Sequence, residues 1–257
     1  MQAFCHIRST TNVGDLNCSP APFFNFENPK LFNLGNLIKD ENHIPPCDAV
    51  VFGGGAIEPF LRIDKIHTRV AARLRVAWGI GTSIHGKSSH GDLVRDLDLI
   101  GVREYGREGD GVEYVPCASC MSPLFDKHYD VRHDVVMFVN ADERIKRPKI
   151  FGIPTLDNTA SFEETIAWLG SGEVVVTNSF HGAYWASLLG RKVVCLAYSS
   201  KFFGFRYPPI LMRDESEWRA SLKMAASYDG EALEDARKQN LRFYEKFLEL
   251  SKANNQN

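Results

Sequence analysis

The clearest foothold for chemistry in this chain is His181. It stands in the run from Glu173 to Gly190, where Val174, Val175 and Val176 lead through Thr177, Asn178 and Ser179 to Phe180, His181 and Gly182. The β-branched run suits a strand buried on both faces of a parallel sheet, and the polar triplet supplies the break after it. Ala183, Trp185, Ala186, Leu188 and Leu189 then recur with helical spacing until Gly190 ends them, so the spacing predicts His181 and Gly182 in the first turn of a helix. The first N–H groups of a helix lack intrahelical partners, and its aligned peptide dipoles favour an anion there. An imidazole beside such an anion titrates near enough to neutrality to move a proton. The competing reading is a histidine that caps the helix or packs beneath the turn, and only its surroundings decide between the two.

The same succession of strand and polar turn recurs along the chain. Phe4 to Ile7 reads as a strand running into Asn12-Val13-Gly14-Asp15, where Gly14 would let a ligand approach the backbone and Asn12 and Asp15 would bond hydroxyls. An ordinary Asx turn fits those residues equally well. Asp48 to Phe52 opens onto Gly53-Gly54-Gly55, which is not G-x-G-x-x-G and has no acidic residue at a ribose distance, so a dinucleotide site is disfavoured. Pro59 to Arg75 reads as a helix and Leu74 to Trp78 as a strand, ending at Gly79-Ile80-Gly81-Thr82-Ser83. Leu97 to Val102 finishes at Arg103, which can hold a carboxylate or phosphate bidentately or pair with Glu104. Lys192 to Ala197 leads into Tyr198 to Arg206, an aromatic and cationic loop. There Lys201 and Arg206 either neutralise a phosphorylated ligand or rest in water above a packed loop.

These turns need a frame. With 257 residues and 44% apolar side chains the chain can bury a substantial core, as one large domain or two small ones. Strands alternating with glycine turns and helices predict an α/β fold whose loops gather at the carboxyl edge of parallel sheets, where open α/β proteins bind ligands. Pro20 to Pro46 reads as a long irregular connection with a strand near Leu31 to Leu34, and Glu113 to Pro116 as a further strand. The charged stretch Lys127 to Arg132, with a fresh strand at Val135 to Val139, sets a boundary between 1–128 and 129–257. Ser161-Phe162-Glu163-Glu164 has the form of a capping box and predicts a helix to Leu169. Asp214 to Ala226 and Glu231 to Ser251 read as closing helices, the second with Leu233, Ala236, Leu241, Tyr244 and Phe247 on one side.

A formal charge of −2 gives no general pull toward nucleic acid or anionic lipid, so anion binding must rest on local placement of charge. Arg144, Lys146, Arg147 and Lys149 have acidic neighbours and no interleaved aromatics, and read as a solvated loop with no nucleic-acid partner. No apolar run approaches the ~18 residues of a membrane span. Met1 to His6 lacks a signal-peptide core, so a cytoplasmic protein without membrane insertion is expected. The cysteines at 5, 18, 47, 117, 120 and 195 are scattered, which favours free thiols. Cys117 and Cys120 have neither a second pair nor histidines at ligand spacing, so no metal site and no cofactor are expected.

In order, Asn12-Val13-Gly14-Asp15, Val50 to Gly55, Gly79-Ile80-Gly81, Gly101-Val102-Arg103-Glu104, Val176 to Gly182, and Lys201 before Gly204-Phe205 resemble the polysaccharide pyruvyl transferase family over most of the chain. The resemblance implies two Rossmann-like lobes facing a cleft in a GT-B-like arrangement, with both lobes shortened. It implies transfer of pyruvate as a ketal from phosphoenolpyruvate to a sugar of a surface or exopolysaccharide. Where the family often has an arginine two residues before the histidine this chain has Ser179, which leaves the donor's cations to Arg103, Lys201 or Arg206.

Resemblance and strand-end positions together give His181 the proton transfer and Asp15 the role of base. Arg103, Thr177, Asn178, Ser179, Gly182, Lys201 and Arg206 would hold phosphoenolpyruvate or another phosphorylated donor. Asn12, Gly14, Gly53, Gly54, Gly55, Gly81 and Ser83 would face a saccharide or lipid-linked saccharide acceptor. Residues 1–128 thus form the acceptor side and 129–257 the donor side. Two other readings stay open on the residues alone. One is a GT-B glycosyltransferase that seats a nucleotide sugar on the same helix end, and the other a non-catalytic glycan- or metabolite-binding relative.

Overall fold

The computed structural model describes residues 1–39, 44–86 and 93–255. Its strands form two parallel sheets, of 6 and 5 strands. The first holds β1 (Gln2–His6), β2 (Pro29–Asn33), β3 (Cys47–Gly53), β4 (Ala72–Ile80), β5 (Leu99–Val102) and β6 (Val112–Tyr114), in the order β2-β1-β3-β4-β5-β6. The second holds β7 (His133–Val139), β8 (Thr155–Asp157), β9 (Gly172–Thr177), β10 (Lys192–Leu196) and β11 (Ile210–Met212), in the order β11-β10-β9-β7-β8. Around them lie α1 (Val13–Leu16), α2 (Leu34–Ile38), α3 (Glu58–Arg62), α4 (Phe162–Gly170), α5 (Phe180–Leu188), α6 (Trp218–Leu222) and α7 (Glu231–Asn255). This is an α/β protein consistent with two Rossmann-like lobes.

Central strands are apolar on both faces because both faces are covered. In the first sheet Phe4, Val51, Val76 and Trp78 pack on one side against Phe243 and Phe247 of α7. The alternate residues Ala3, Val50, Phe52 and Ala77 pack on the other against Leu34, Leu61 and Ile66. In the second sheet Val136, Phe138 and Val175 meet α4 and α5 through Ile166, Leu169 and Trp185, while Val174, Val176 and Val194 meet Trp218 and Leu222. Full burial of each such side chain contributes about 1.5–3 kcal/mol. Helix α7 begins against the second half through Ala232 and Ala236 and ends on the first sheet, so one helix serves both cores.

Several local expectations are revised. The stretch expected as one helix from Pro59 to Arg75 is short α3, a left-handed Lys65 at φ +47°, a 3-10 turn at Ile66–Arg69, and then β4, whose Ala72 already pairs with Cys47. The connection Pro20 to Pro46 contains β2 and α2, and its residues 40–43 lie outside the described residues. Edge strands β8 and β11 have three residues each, too few to show a period. Asp214 to Ala226 is not one helix: Asp214 Oδ1 accepts from the Ser216 N–H, a 3-10 turn follows, and only then comes α6.

On α7 the buried stripe is Ala232, Ala236, Asn240, Phe243 and Phe247, whereas Leu241 is 47% exposed. An asparagine sits mid-stripe because its amide is fully used: Oδ1 accepts from Trp78 Nε1 at 2.9 Å, and Nδ2 donates to the carbonyls of Pro116 and Ala236. Ser161 caps α4 as expected, accepting from the Glu164 N–H at 3.2 Å. All six cysteines are buried and unpaired, and burial pushes the Cys120 thiol up to about 12. No helix among the described residues is long and apolar enough to cross a membrane.

Candidate functional site

Loops at the carboxyl ends of both sheets enclose a cleft of about 210 Å³. The first half contributes Asn12, Asp15, Ala56, Ser83, His85 and Arg103; the second contributes Asn140, Asp142, Ile145, Ser179, Phe180, His181, Tyr198 and Lys201. A larger cavity of about 320 Å³, between α7 and the amino ends of β1 and β3, gathers none of these groups. One wall of the cleft is a clasp between the halves. Ser200 N–H donates to the Ile84 carbonyl at 3.1 Å, Gly86 N–H to the Tyr198 carbonyl at 3.0 Å, and Ser83 Oγ to Ser199 Oγ at 2.9 Å. Across the floor, Val13 N–H donates to the Asn158 carbonyl at 2.8 Å. The position of one half's residues therefore fixes the other's.

His181 lies in the first turn of α5, behind the cap Ser179, whose Oγ accepts from the Gly182 N–H at 3.3 Å. Its ring rests 4.9 Å from Trp185 and 5.5 Å from Phe180, and Nε2 is buried without a hydrogen-bond partner. Its opposite neighbour is Gly14: a Cβ there would overlap His181 Nδ1. The Asn12-Val13-Gly14-Asp15 turn is the start of α1, with Asn12 Oδ1 accepting from the Gly14 N–H and Asn12 Nδ2 donating to Asp15 Oδ2, both at 3.0 Å. Gly14 is thus required by the imidazole rather than by a ligand.

Arg103 ends β5 and is held from behind by a buried carboxylate. Glu104 Oε1 accepts from the Thr82 N–H at 2.8 Å and lies 3.8 Å from Arg103 Nε, while the guanidinium carbon stands 3.9 Å above the Phe180 ring. Of the two expected roles of this arginine, the pairing with Glu104 is the one formed here. Lys201 approaches from the 3-10 turn after β10, donating to Tyr198 Oη at 2.5 Å. Burial, then Arg103, push its ammonium down to about 8. Burial, then Arg103 and Lys201, hold His181 well below the ordinary imidazole value, so the ring is neutral at pH 7. Burial raises the Asp15 carboxyl, opposed by Arg103, Lys201 and Asn12. Asp142 at the rim is lowered to about 2 by its hydrogen bonds from Arg144. The interior therefore sets two cationic groups, Arg103 and Lys201, beside one carboxyl that can hold or release a proton.

Of the residues singled out from sequence, Asn12, Asp15, Ser83, Arg103, Ser179, His181 and Lys201 come together in this cleft. Thr177 and Asn178 turn inward: Thr177 Oγ1 donates to the Phe138 carbonyl at 2.6 Å, and Asn178 bonds the Asn140 N–H and the Lys146 carbonyl. Gly182 is pressed against Phe138 and Thr177. Gly53 and Gly54 back onto Pro20 and Cys18, and Gly81 lets Arg103 and Glu104 close over it, so these glycines admit side chains. Gly55, at φ +81°, stands beside Asp15. Arg206 is directed elsewhere, its Nε 3.3 Å from Asp235 and its guanidinium over Tyr105 and Tyr114.

Four polar lining residues carry no sequence assignment: His85, Asn140, Asp142 and Tyr198. The strand-end argument applied to β7 would have found Asn140 and Asp142. His85 and Tyr198, with rings 5.4 Å apart, are joined by the clasp, which no local pattern announces.

The fold and cleft define a two-sheet α/β protein whose cleft gathers Arg103, Lys201 and His181 at the amino end of α5. A family model described as polysaccharide pyruvyl transferase matches residues 7–200. The chain belongs to that family, which makes it a transferase with a saccharide acceptor. No curated protein and no solved structure gives a match.

Proposed function

We propose that the protein transfers pyruvate as a ketal from phosphoenolpyruvate to a sugar of a surface or exopolysaccharide, in the cytoplasm, with the lobes 1–128 and 129–257 in a GT-B-like arrangement. The observation that carries this reading is the convergence of His181, Arg103 and Lys201 on one small cleft opposite Asp15. A volume of about 210 Å³ favours a compact donor over a nucleotide sugar, since drug-sized ligands occupy pockets of roughly 300–1,000 Å³.

The reaction balances without an outside proton. Phosphoenolpyruvate and a diol give the ketal and hydrogen phosphate; one hydroxyl proton ends on the new methyl group and the other on phosphate. Arg103, Lys201 and the N–H groups at the start of α5 hold the donor's carboxylate and phosphate. Burial, then Arg103 and Lys201, keep His181 neutral; the arriving negative charge offsets these, so that the imidazole is protonated when the donor is bound and delivers that proton to the terminal carbon. Asp15 accepts the proton of the first attacking hydroxyl and returns it to His181, so one hydroxyl proton replaces the one given to carbon; its burial and raised affinity suit it to that exchange.

The test measures phosphate release from phosphoenolpyruvate with a panel of saccharides. His181→Ala should lower turnover about 100-fold to 10,000-fold while donor binding by calorimetry survives. Undiminished turnover in that variant would dismiss His181 as the acid.

A further inference from the structure

The reaction moves two protons, and His181 with Asp15 accounts for only the one that reaches carbon. Tyr198 is placed to handle the other. A phenol oxygen has one hydrogen and two acceptor positions. Lys201 Nζ can only donate, and does so to Tyr198 Oη at 2.5 Å. Asn140 lines the same cleft, but its Oδ1 is already occupied by the Asp142 N–H at 3.0 Å and Asn158 Nδ2 at 3.3 Å. With Lys201 donating to the oxygen, the phenol hydrogen has no acceptor among the described residues. The ring lines the cleft, and that hydrogen is left to whatever the cleft binds.

We propose that Tyr198 is a further catalytic residue of pyruvyl transfer: it protonates the departing phosphate and then collects the proton of the second acceptor hydroxyl. The proposal rests on the function proposed above. As the bond between C2 and the phosphate oxygen breaks in the tetrahedral adduct, its electron pair leaves on that oxygen, which takes the phenol proton. The second hydroxyl oxygen then bonds to C2, and its proton restores the phenol. Lys201, already donating to the oxygen, stabilises the transient phenolate. Burial keeps the resting phenol protonated and ready to donate.

The experiment runs the full chain in deuterium oxide with phosphoenolpyruvate and a saccharide panel. It reads phosphate release and deuterium at C3 of recovered phosphoenolpyruvate, the mark of reversible adduct formation. Tyr198→Phe should cut release about 100-fold or more while KM for phosphoenolpyruvate stays within about threefold and deuterium exchange persists. His181→Ala should lose both signals. Replacement of Tyr198 by 3-fluorotyrosine keeps the shape and the acidic phenol hydrogen, and release should stay within about tenfold of wild type. Wild-type release in Tyr198→Phe, loss of exchange in step with release, or a 3-fluorotyrosine protein as slow as Tyr198→Phe would each overturn the Tyr198 assignment alone. A wild-type protein silent in both readouts across the panel would overturn the pyruvyl-transfer reading, and this proposal with it.

Discussion

Replacing Lys201 by Met should stabilise the ligand-free protein, because the cleft holds this cation at a cost. Burial first, then Arg103, take the ammonium from 10.5 down to about 8, against partial help from Asp15, Cys195 and Asp142. A folded value below the unfolded one means that the unfolded chain binds more protons between the two. Stability therefore rises with pH across that window, and the penalty is complete below it. At about 1.36 kcal/mol for each factor of ten in proton affinity, the penalty is about 3 kcal/mol near pH 7 and falls to about 1 kcal/mol near pH 9.5. Methionine keeps an unbranched apolar stem in the same space and gives up about 1 kcal/mol with the hydrogen bond to Tyr198. Urea unfolding near pH 7 should then show Lys201→Met more stable by about 2 kcal/mol, the margin vanishing near pH 9.5. Phosphoenolpyruvate should close the gap from the other side, raising the wild-type midpoint and leaving the variant's unchanged. A variant no more stable than wild type at neutral pH, or a margin that does not narrow on alkalinisation, would refute the claim that Lys201 waits as an uncompensated buried cation.

Other consequences follow from the same contacts. Gly14→Ala puts a methyl into His181 Nδ1 where Asn12 and Val13 already pin the turn, so the melting curve should show a loss of about 1–3 kcal/mol and turnover should fall with it. An unchanged midpoint and rate would mean the turn moves freely. Asn240→Ala leaves Trp78 Nε1 and the Pro116 carbonyl unpaired beneath α7, and urea unfolding should register about 2–4 kcal/mol of destabilisation. A cost under about 0.5 kcal/mol would show that water replaces the amide.

The strand succession was legible because strands buried on both faces announce themselves as β-branched runs, as at Val174 to Val176, and because caps are local chemistry, as at Ser161 and Ser179. The stretch Pro59 to Arg75 misled because its apolar residues keep helical spacing through Ile66 and Val70, while the backbone reversal at Lys65 is imposed by where β4 must pair. Leu241 was assigned to the core on hydrophobicity and Asn240 passed over, since an amide belongs inside only once Trp78 is present to bond it.

The sequence by itself determined that strands end in polar turns carrying His181, Arg103, Lys201 and Asp15, since strand runs, caps and helix starts are properties of a few neighbouring residues. Only the tertiary structure decided which of those turns meet. It brought Gly14 against His181, sent Arg206 to Asp235, and joined residues 83–86 to 198–200 so that Tyr198 and Lys201 share a cleft with Asp15. Contacts between residues more than a hundred positions apart follow from packing two sheets under one closing helix, and no local pattern carries that information.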